Sequence, residues 1–311
     1  MNSESNVLRE SALGSERVTA ESASPTHPFY WSVRRELWEN RWIYVGQLAI
    51  AAVFLLVFLI NMTVWLAKMR GVSPTDTEQY WETIALPYNI GAGVMMGTLI
   101  LMSLFYSADA LYGERRDRSI LFWKSLPVSD LTVVLAKASI PLVILPLLTI
   151  AITMAMHVIM LLMSSIVLPM RGMSVVALWR ELSVFQMWGL LTYHIFLAHA
   201  IWPFPVYCWL MLVSGWARRA TLLWAALPVI AIGGIEKLVL HTSHFAAMVG
   251  NRMIGGGAPT DVTSGEMFPT GPMTHLTPAR YLSAPGLWIG FAVAVIFLTL
   301  AVRLRRYRGP I

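Results

Sequence analysis

Three groups of residues in this chain have types and spacings that could do chemistry. His157, His194 and His199 stand inside long apolar stretches. An imidazole there can pass a proton, touch a substrate, or serve as a hydrogen-bonded packing residue. Glu236 and Lys237 are neighbours in the apolar "IGGIEKLVLHTSH". Charges at membrane depth are costly and face a cavity, a partner or the interface. The pair therefore predicts a polar point on a substrate path, a subunit contact, or two side chains reaching the outer interface. Residues one apart on a helix do not face each other, so these two need not pair. The third group is "YGERRDRSILFWKSLPVSDLTVVLAK", residues 112–137, with eight charged residues in a chain that is only 13% charged.

Several chemistries lack their signatures. There is no G-x-x-x-x-G-K-[ST] phosphate loop, no H-E-x-x-H, no G-x-S-x-G, and no cluster of carboxylates in the apolar stretches. His241 and His244, three apart, could share a metal on one helical face, but only His275 is near as a third ligand. The single cysteine, Cys208, excludes an internal disulfide and a cysteine metal cluster. No catalytic residue, metal or cofactor is expected.

The elements that must position these residues follow from composition. The 311 residues are 57% hydrophobic, with 13 Trp and 18 Met, and the mean hydropathy is +0.62. An ordinary soluble domain is about a quarter charged. The chain reads as an all-α polytopic membrane protein, because crossing about 30 Å of hydrocarbon takes roughly 20 apolar residues as a helix. Six spans are predicted, over residues 43–66, 88–111, 138–167, 185–213, 221–240 and 287–302. Continuous apolar runs exclude a barrel of short alternating strands.

Basic loop residues stay cytoplasmic. With the N-terminus inside, the inner flanks carry Arg34, Arg35, Arg41, Arg115, Arg116, Arg118, Lys124, Lys137, Arg218, Arg219, Arg303, Arg305, Arg306 and Arg308. The outer loops carry only Lys68, Arg70, Arg171, Arg180, Arg252 and Arg280. Both termini are thus expected in the cytoplasm.

Residues 1–28, rich in Ser and Glu, predict a disordered tail and no secretory signal peptide. In "FYWSVRRELWENRW", Trp31, Trp38 and Trp42 recur at helical spacing beside Arg34, Arg35 and Arg41. Residues 29–41 are therefore expected to form an amphipathic helix in the inner interface, or else a plain extension of the first span. Residues 42–302 make the transmembrane domain. A long outer loop over 241–285 is predicted to hold a short helix at "HFAAMVGNRMI", and residues 303–311 a basic tail. Pro141, Pro146, Pro203, Pro205 and Pro228 should bend their spans.

The insert between the second and third spans reads as helix, elbow, break and new helix. Glu114, Arg115, Arg116, Asp117 and Arg118 should carry the second helix out into water. Ile120, Leu121, Phe122 and Trp123 are too few to cross a membrane and enough to dock on an interface or a partner. Pro127 disfavours helix at Leu126, and Ser129 or Asp130 suits the cap of the next helix. An ordinary solvated loop is the plainer alternative.

These residues resemble the permease subunits of ABC-2 type ATP-driven transporters. That family shows an "ER" pair after the second span, an apolar stretch, an "LPVS" phrase and a Lys at the start of the third span. Here those positions are Glu114 and Arg115, then Leu121, then Leu126, Pro127, Val128 and Ser129, then Lys137. Many members carry a Gly and a Thr where this chain has Asp117, Arg118 and Ser119.

The resemblance implies a coupling helix that sits in a groove of an ATP-hydrolysing partner, involving Glu114, Arg115, Arg116, Leu121, Leu126, Pro127, Val128, Ser129 and Asp130. It also implies a homodimeric ABC ATPase subunit, a second permease copy or a similar permease, surrounding lipid, no nucleic acid, an inner-membrane location and export. A non-transporting membrane scaffold and an intramembrane enzyme are the alternative readings.

Overall fold

The computed structural model describes residues 27–71, 77–125, 128–170, 172, 174–181, 184–254 and 278–308. Of the tail expected over residues 1–28, residues 1–26 lie outside these, as do Leu126 and Pro127, residues 255–277 of the long loop and the last three residues; Pro28 already belongs to a helix. The described residues are almost wholly helical and contain no strand. Six helical segments are long and apolar enough to cross a membrane: Trp42–Met69, Thr83–Arg116, Asp130–Met170, Val184–Ile201, Thr221–Leu240 and Pro285–Tyr307.

A short helix, α1 (Pro28–Glu39), precedes the first long one, α2 (Trp42–Gly71). Pro28 opens α1 where a missing N–H costs nothing. The chain turns at Asn40 and Arg41, so Trp42 starts the first span and does not continue the face of Trp31 and Trp38. At its far end α2 meets α3 (Thr77–Asp109). Pro87 inside α3 cannot donate to the Thr83 carbonyl four residues back, and the Trp65 indole N–H reaches that carbonyl at 2.9 Å.

Near its end the second span passes through a turn at Ala110 and Leu111 into α4 (Tyr112–Arg116), where Glu114 and Arg115 are buried and Arg116 is exposed. After α5 (Ile120–Ser125) the third span begins as α6 (Asp130–Ser139), widens to a π-turn over Ile140–Ile144 and continues as α7 (Leu145–Met170). The widened turn contains Pro141 and leads into Pro146, and it accommodates both prolines without ending the helix.

The fourth span, expected as one helix over 185–213, is broken. Following α8 (Val175–Glu181), α9 (Val184–His194) passes into a π-turn over Ile195–Ile201, and α10 (Phe204–Trp216) starts beyond Pro203. The break leaves carbonyls that need outside donors. The Tyr207 hydroxyl donates to the His199 carbonyl at 2.9 Å, while the Leu197 carbonyl, already bonded to the Trp202 N–H at 3.0 Å, also accepts the Tyr281 hydroxyl at 2.8 Å.

One core packs the second, third, fourth and last spans through Tyr106, Val134, Ile195, Tyr207 and Ala301. A second joins the first three spans through Phe58, Trp65, Tyr88 and Met156. Small residues let these helices approach closely. A Cβ on Gly91 would sit 2.8 Å from both Met156 and Phe54.

The fifth span, α11 (Thr221–Ile235) with a π-turn over Glu236–Leu240, reverses at His241, whose φ of 53° is left-handed. The next helix, α12 (His244–Ile254), folds back beside it, with Gly233 against Ala246. Near the end of α12, Arg252 stacks on the Trp202 ring at 4.2 Å. Its guanidinium donates to the carbonyls of Trp202, at 2.9 Å, and Gly286. Burial pulls this guanidinium below its usual pKa. Beyond α13 (Pro278–Ser283), the last helix α14 (Pro285–Tyr307) makes room for Arg252 with Gly290, where a Cβ would lie 2.7 Å from the guanidinium. One arginine thus fastens the hairpin to the broken span and to the start of the last one.

Arg252→Ala and Gly290→Val should each speed amide hydrogen exchange across residues 244–254 by roughly five- to thirtyfold, through loss of about 1–2 kcal/mol of local stability. The double variant should exchange little faster than either single one, because both remove the same fastening. Exchange over residues 145–160 is the internal control and should not change.

Candidate functional site: an ionic cluster under the polar insert

The polar insert is bound to the bundle by buried charges. Ser32 and Glu36 lie four apart on the inward face of α1, and Glu36 is only 1% exposed. A carboxylate so enclosed must be paired and hydrogen-bonded. Glu36 receives Lys137 at 2.8 Å, Arg35 at 2.7 Å and the Tyr106 hydroxyl at 2.9 Å. Glu114, 7% exposed on α4, receives Arg35 at 2.7 Å and Lys137 at 3.2 Å on one oxygen and Arg305 at 3.1 Å on the other. Arg305 also pairs with Asp130 at the head of α6.

Three cations thus meet three carboxylates, and Glu39 adds a fourth, partly exposed contact to Arg35 at 3.6 Å. The cluster joins α1, α4, α6 and α14, and its direct pair Glu114 and Arg305 stands 191 positions apart. Arg35 loses solvation on burial, but Glu36 and Glu114 outweigh that loss and hold its pKa above the usual value. Glu39 is shifted upward, first by burial and then by the neighbouring carboxylates, against the pull of Arg35.

Around the cluster, three further basic residues close helix ends. The Arg115 guanidinium donates to the carbonyls of Gly215, at 2.8 Å, and Ala217, at 3.1 Å, at the end of α10. Arg308 donates to the Trp216 carbonyl at 3.0 Å, and Lys124 to the carbonyls of Arg306 and Arg308 at 3.3 Å. Cations over C-terminal carbonyls satisfy orphan acceptors and oppose the helix dipole.

On this mounting sits α5. The chain reaches it through Arg118, whose φ of 57° is left-handed, a conformation that costs an L-residue about 1–2 kcal/mol. Ile120 is buried as its anchor, and the Trp123 ring lies 3.9 Å from the Arg35 guanidinium. Leu121 and Phe122 point outward, 58% and 61% exposed. Beyond α5, the Ser129 hydroxyl accepts from the Thr132 N–H at 3.1 Å and caps α6, while Asp130 turns to Arg305.

The sequence-selected residues therefore divide. Glu114 and Arg115 are buried in the fold; Arg116 is exposed and pairs with Asp117 and Asp109. Leu121 is exposed, Val128 half-buried and Ser129 exposed. Leu126 and Pro127 lie outside the described residues. Sequence reasoning missed Glu36, Tyr106 and Arg305. The available signal was Glu36 on the face of its helix opposite the tryptophans, and Lys137 alone among apolar neighbours.

The other candidates stand apart from this cluster. His157 is fully buried, its Nε2 3.1 Å from the Tyr88 carbonyl and its Nδ1 accepting from the Trp188 indole at 3.3 Å. That pattern fixes a neutral ring with the proton on Nε2. His199 Nδ1 faces the carbonyl of His194 at 3.1 Å. Glu236 accepts the backbone N–H groups of His244, at 2.7 Å, and Phe245, at 2.8 Å, and the Thr242 hydroxyl at 2.9 Å. It caps α12 and holds the hairpin shut. Lys237 is exposed. Among the described residues no three metal-ligating side chains come together. No family model, curated protein or solved structure matches the chain.

Removing one charge from a balanced buried cluster should cost more than removing a pair. Glu36→Gln or Lys137→Met alone should destabilise the protein by about 3–5 kcal/mol, because each leaves the buried cluster with an uncompensated charge. The double variant, again neutral, should be more stable than either, as read by unfolding in detergent micelles.

Proposed function

We propose that this chain is the membrane-spanning subunit of an ABC-2 type transporter, working as an exporter in the inner membrane with the ionic cluster and α5 on the cytoplasmic side. The observation that carries the reading is the apolar pair Leu121 and Phe122, presented outward on a mounting that ion pairs tie to α1 and to the second, third and last spans. Such a device suits force arriving from outside. A push on α5 passes through Ile120, and through Trp123 to Arg35, to elements that reach across the bundle. The chain carries no phosphate loop, so the nucleotide belongs to a separate ATPase, taken as a homodimer. Glu114 and Arg115 serve this coupling by fixing the elbow, and Leu121 and Phe122 by touching the partner. No bond of the transported molecule need be broken.

A second copy completes the path. Only 6% of the apolar stretch of Thr221–Leu240 is buried within one chain, the least of the six segments. Ile230, Ile235 and Leu238 along it are all exposed.

Two measurements test this reading. Affinity-purified chain from its native membranes, in mild detergent, should retain a polypeptide with a phosphate-binding loop and hydrolyse ATP. Leu121→Asp or Phe122→Asp should abolish both while leaving the chain monodisperse. Retention of full ATPase activity by both variants would sink the coupling role of α5. For the second copy, Ile230→Cys in a Cys208→Ala background should form a disulfide-linked dimer in membranes, whereas a cysteine placed at the buried Ala294 should not.

A further inference from the structure

The outward face of α1 carries charges that nothing in the bundle uses. Trp31, Arg34 and Trp38, three and four residues apart, share one face of the helix, opposite Ser32 and Glu36. Arg41 follows in the turn before the first span, also exposed. Among the described residues, neither Arg34 nor Arg41 meets a carboxylate, whereas Arg35 beside them is bound to three.

The Arg34 guanidinium lies 5.2 Å from the Trp31 ring and 4.7 Å from the Trp38 ring. Stacking occupies the flat face of a guanidinium and leaves its in-plane N–H groups free for a planar or tetrahedral oxyanion. Because α1 passes into the apolar Trp42–Met69 segment through only Asn40 and Arg41, this face is held where hydrocarbon meets water. Exposed Tyr30, Trp31, Trp38 and Trp42 suit that depth, since amphipathic rings concentrate at the headgroup level.

We propose that Arg34, Arg41 and the rings of Trp31 and Trp38 form a headgroup site for an anionic phospholipid. Arg34 grips the phosphate oxygens from between the two indoles, and Arg41 supplies the second charge. A lipid with an uncompensated negative charge is selected over a zwitterionic one, whose ammonium or choline group two arginines would repel. The site needs only that α1 lie on a bilayer surface, so it stands or falls independently of what the bundle transports.

The test is native mass spectrometry of the full chain in detergent, titrated with phosphatidylglycerol or with phosphatidylcholine of the same acyl chains. Wild type should hold phosphatidylglycerol in clear preference. Each basic residue at an anionic surface contributes about fivefold in binding, so Arg34→Gln with Arg41→Gln should weaken phosphatidylglycerol retention by roughly twenty-five-fold and leave phosphatidylcholine unchanged. The lysine pair, Arg34→Lys with Arg41→Lys, should recover most of the preference, which excludes misfolding as the cause.

Three results would each overturn the site. The first is equal binding of the two lipids to wild type, as expected if an acidic protein segment occupies this face. The second is a loss under twofold in the glutamine variant. The third is an equal loss on replacing the exposed Arg218 and Arg219 by Gln, which would reduce the effect to overall charge.

Discussion

A carboxylate at position 114 cannot be enclosed by this protein without cations on more than one side, and the arrangement at the basic end of the bundle follows from that need. Taking an ion from water into a protein interior costs several kcal/mol even after relaxation, and the cost is recovered only with good geometry and satisfied lone pairs. Glu114 meets that condition with Arg35 and Lys137 on one oxygen and Arg305 on the other. These cations come from α1, α6 and α14, so four elements must be in place together. The last span closes the cluster that the first helix opens. An elbow mounted this way moves as one body with its four anchors, because releasing any one of them leaves a stranded charge.

Away from the cluster the construction changes. There the joints are hydroxyls and one guanidinium on backbone carbonyls, with no ion pair among them: Tyr281 on Leu197, Tyr207 on His199, Arg252 on Trp202. Between the two regimes lie the π-turns of the third and fourth spans, which pack against each other. A widened turn has lost the regular i to i−4 ladder, so it bends at lower cost than the helix on either side. The chain is thus stiff where the polar insert is mounted and compliant near the middle of the bundle. Displacement at the basic end would be absorbed where the two wide turns meet.

Much of this was legible in the sequence, for reasons that differ by element. The six apolar stretches could be read because hydrocarbon thickness sets a length that composition reveals directly. The elbow could be read because Ile120–Ser125 is apolar yet short, and because Ser129 suits a cap at the next helix. The break in the fourth span could not be placed, since Pro203 alone does not say whether a helix bends or stops; the outcome depends on Tyr207 and Arg252 arriving to satisfy the carbonyls of His199 and Trp202. The ionic cluster was only half visible. Glu114 and Arg115 looked like solvated ends of a helix because local sequence cannot show that Glu36 and Arg305, 78 and 191 positions away, converge on the same point.

Helix α1 links the two halves of this picture because it is short and carries different chemistry on its two faces. Its inner face brings Glu36 and Arg35 into the cluster, and Arg35 in turn lies on the Trp123 ring of α5. Its outer face carries Trp31, Arg34 and Trp38. Twelve residues of helix are rigid over that distance, and the turn at Asn40 and Arg41 leaves them only a narrow hinge to the first span. The outer face of α1 and the exposed pair on α5 therefore belong to one mounted unit, since Arg35 lies on the Trp123 ring and pairs with Glu36 and Glu114.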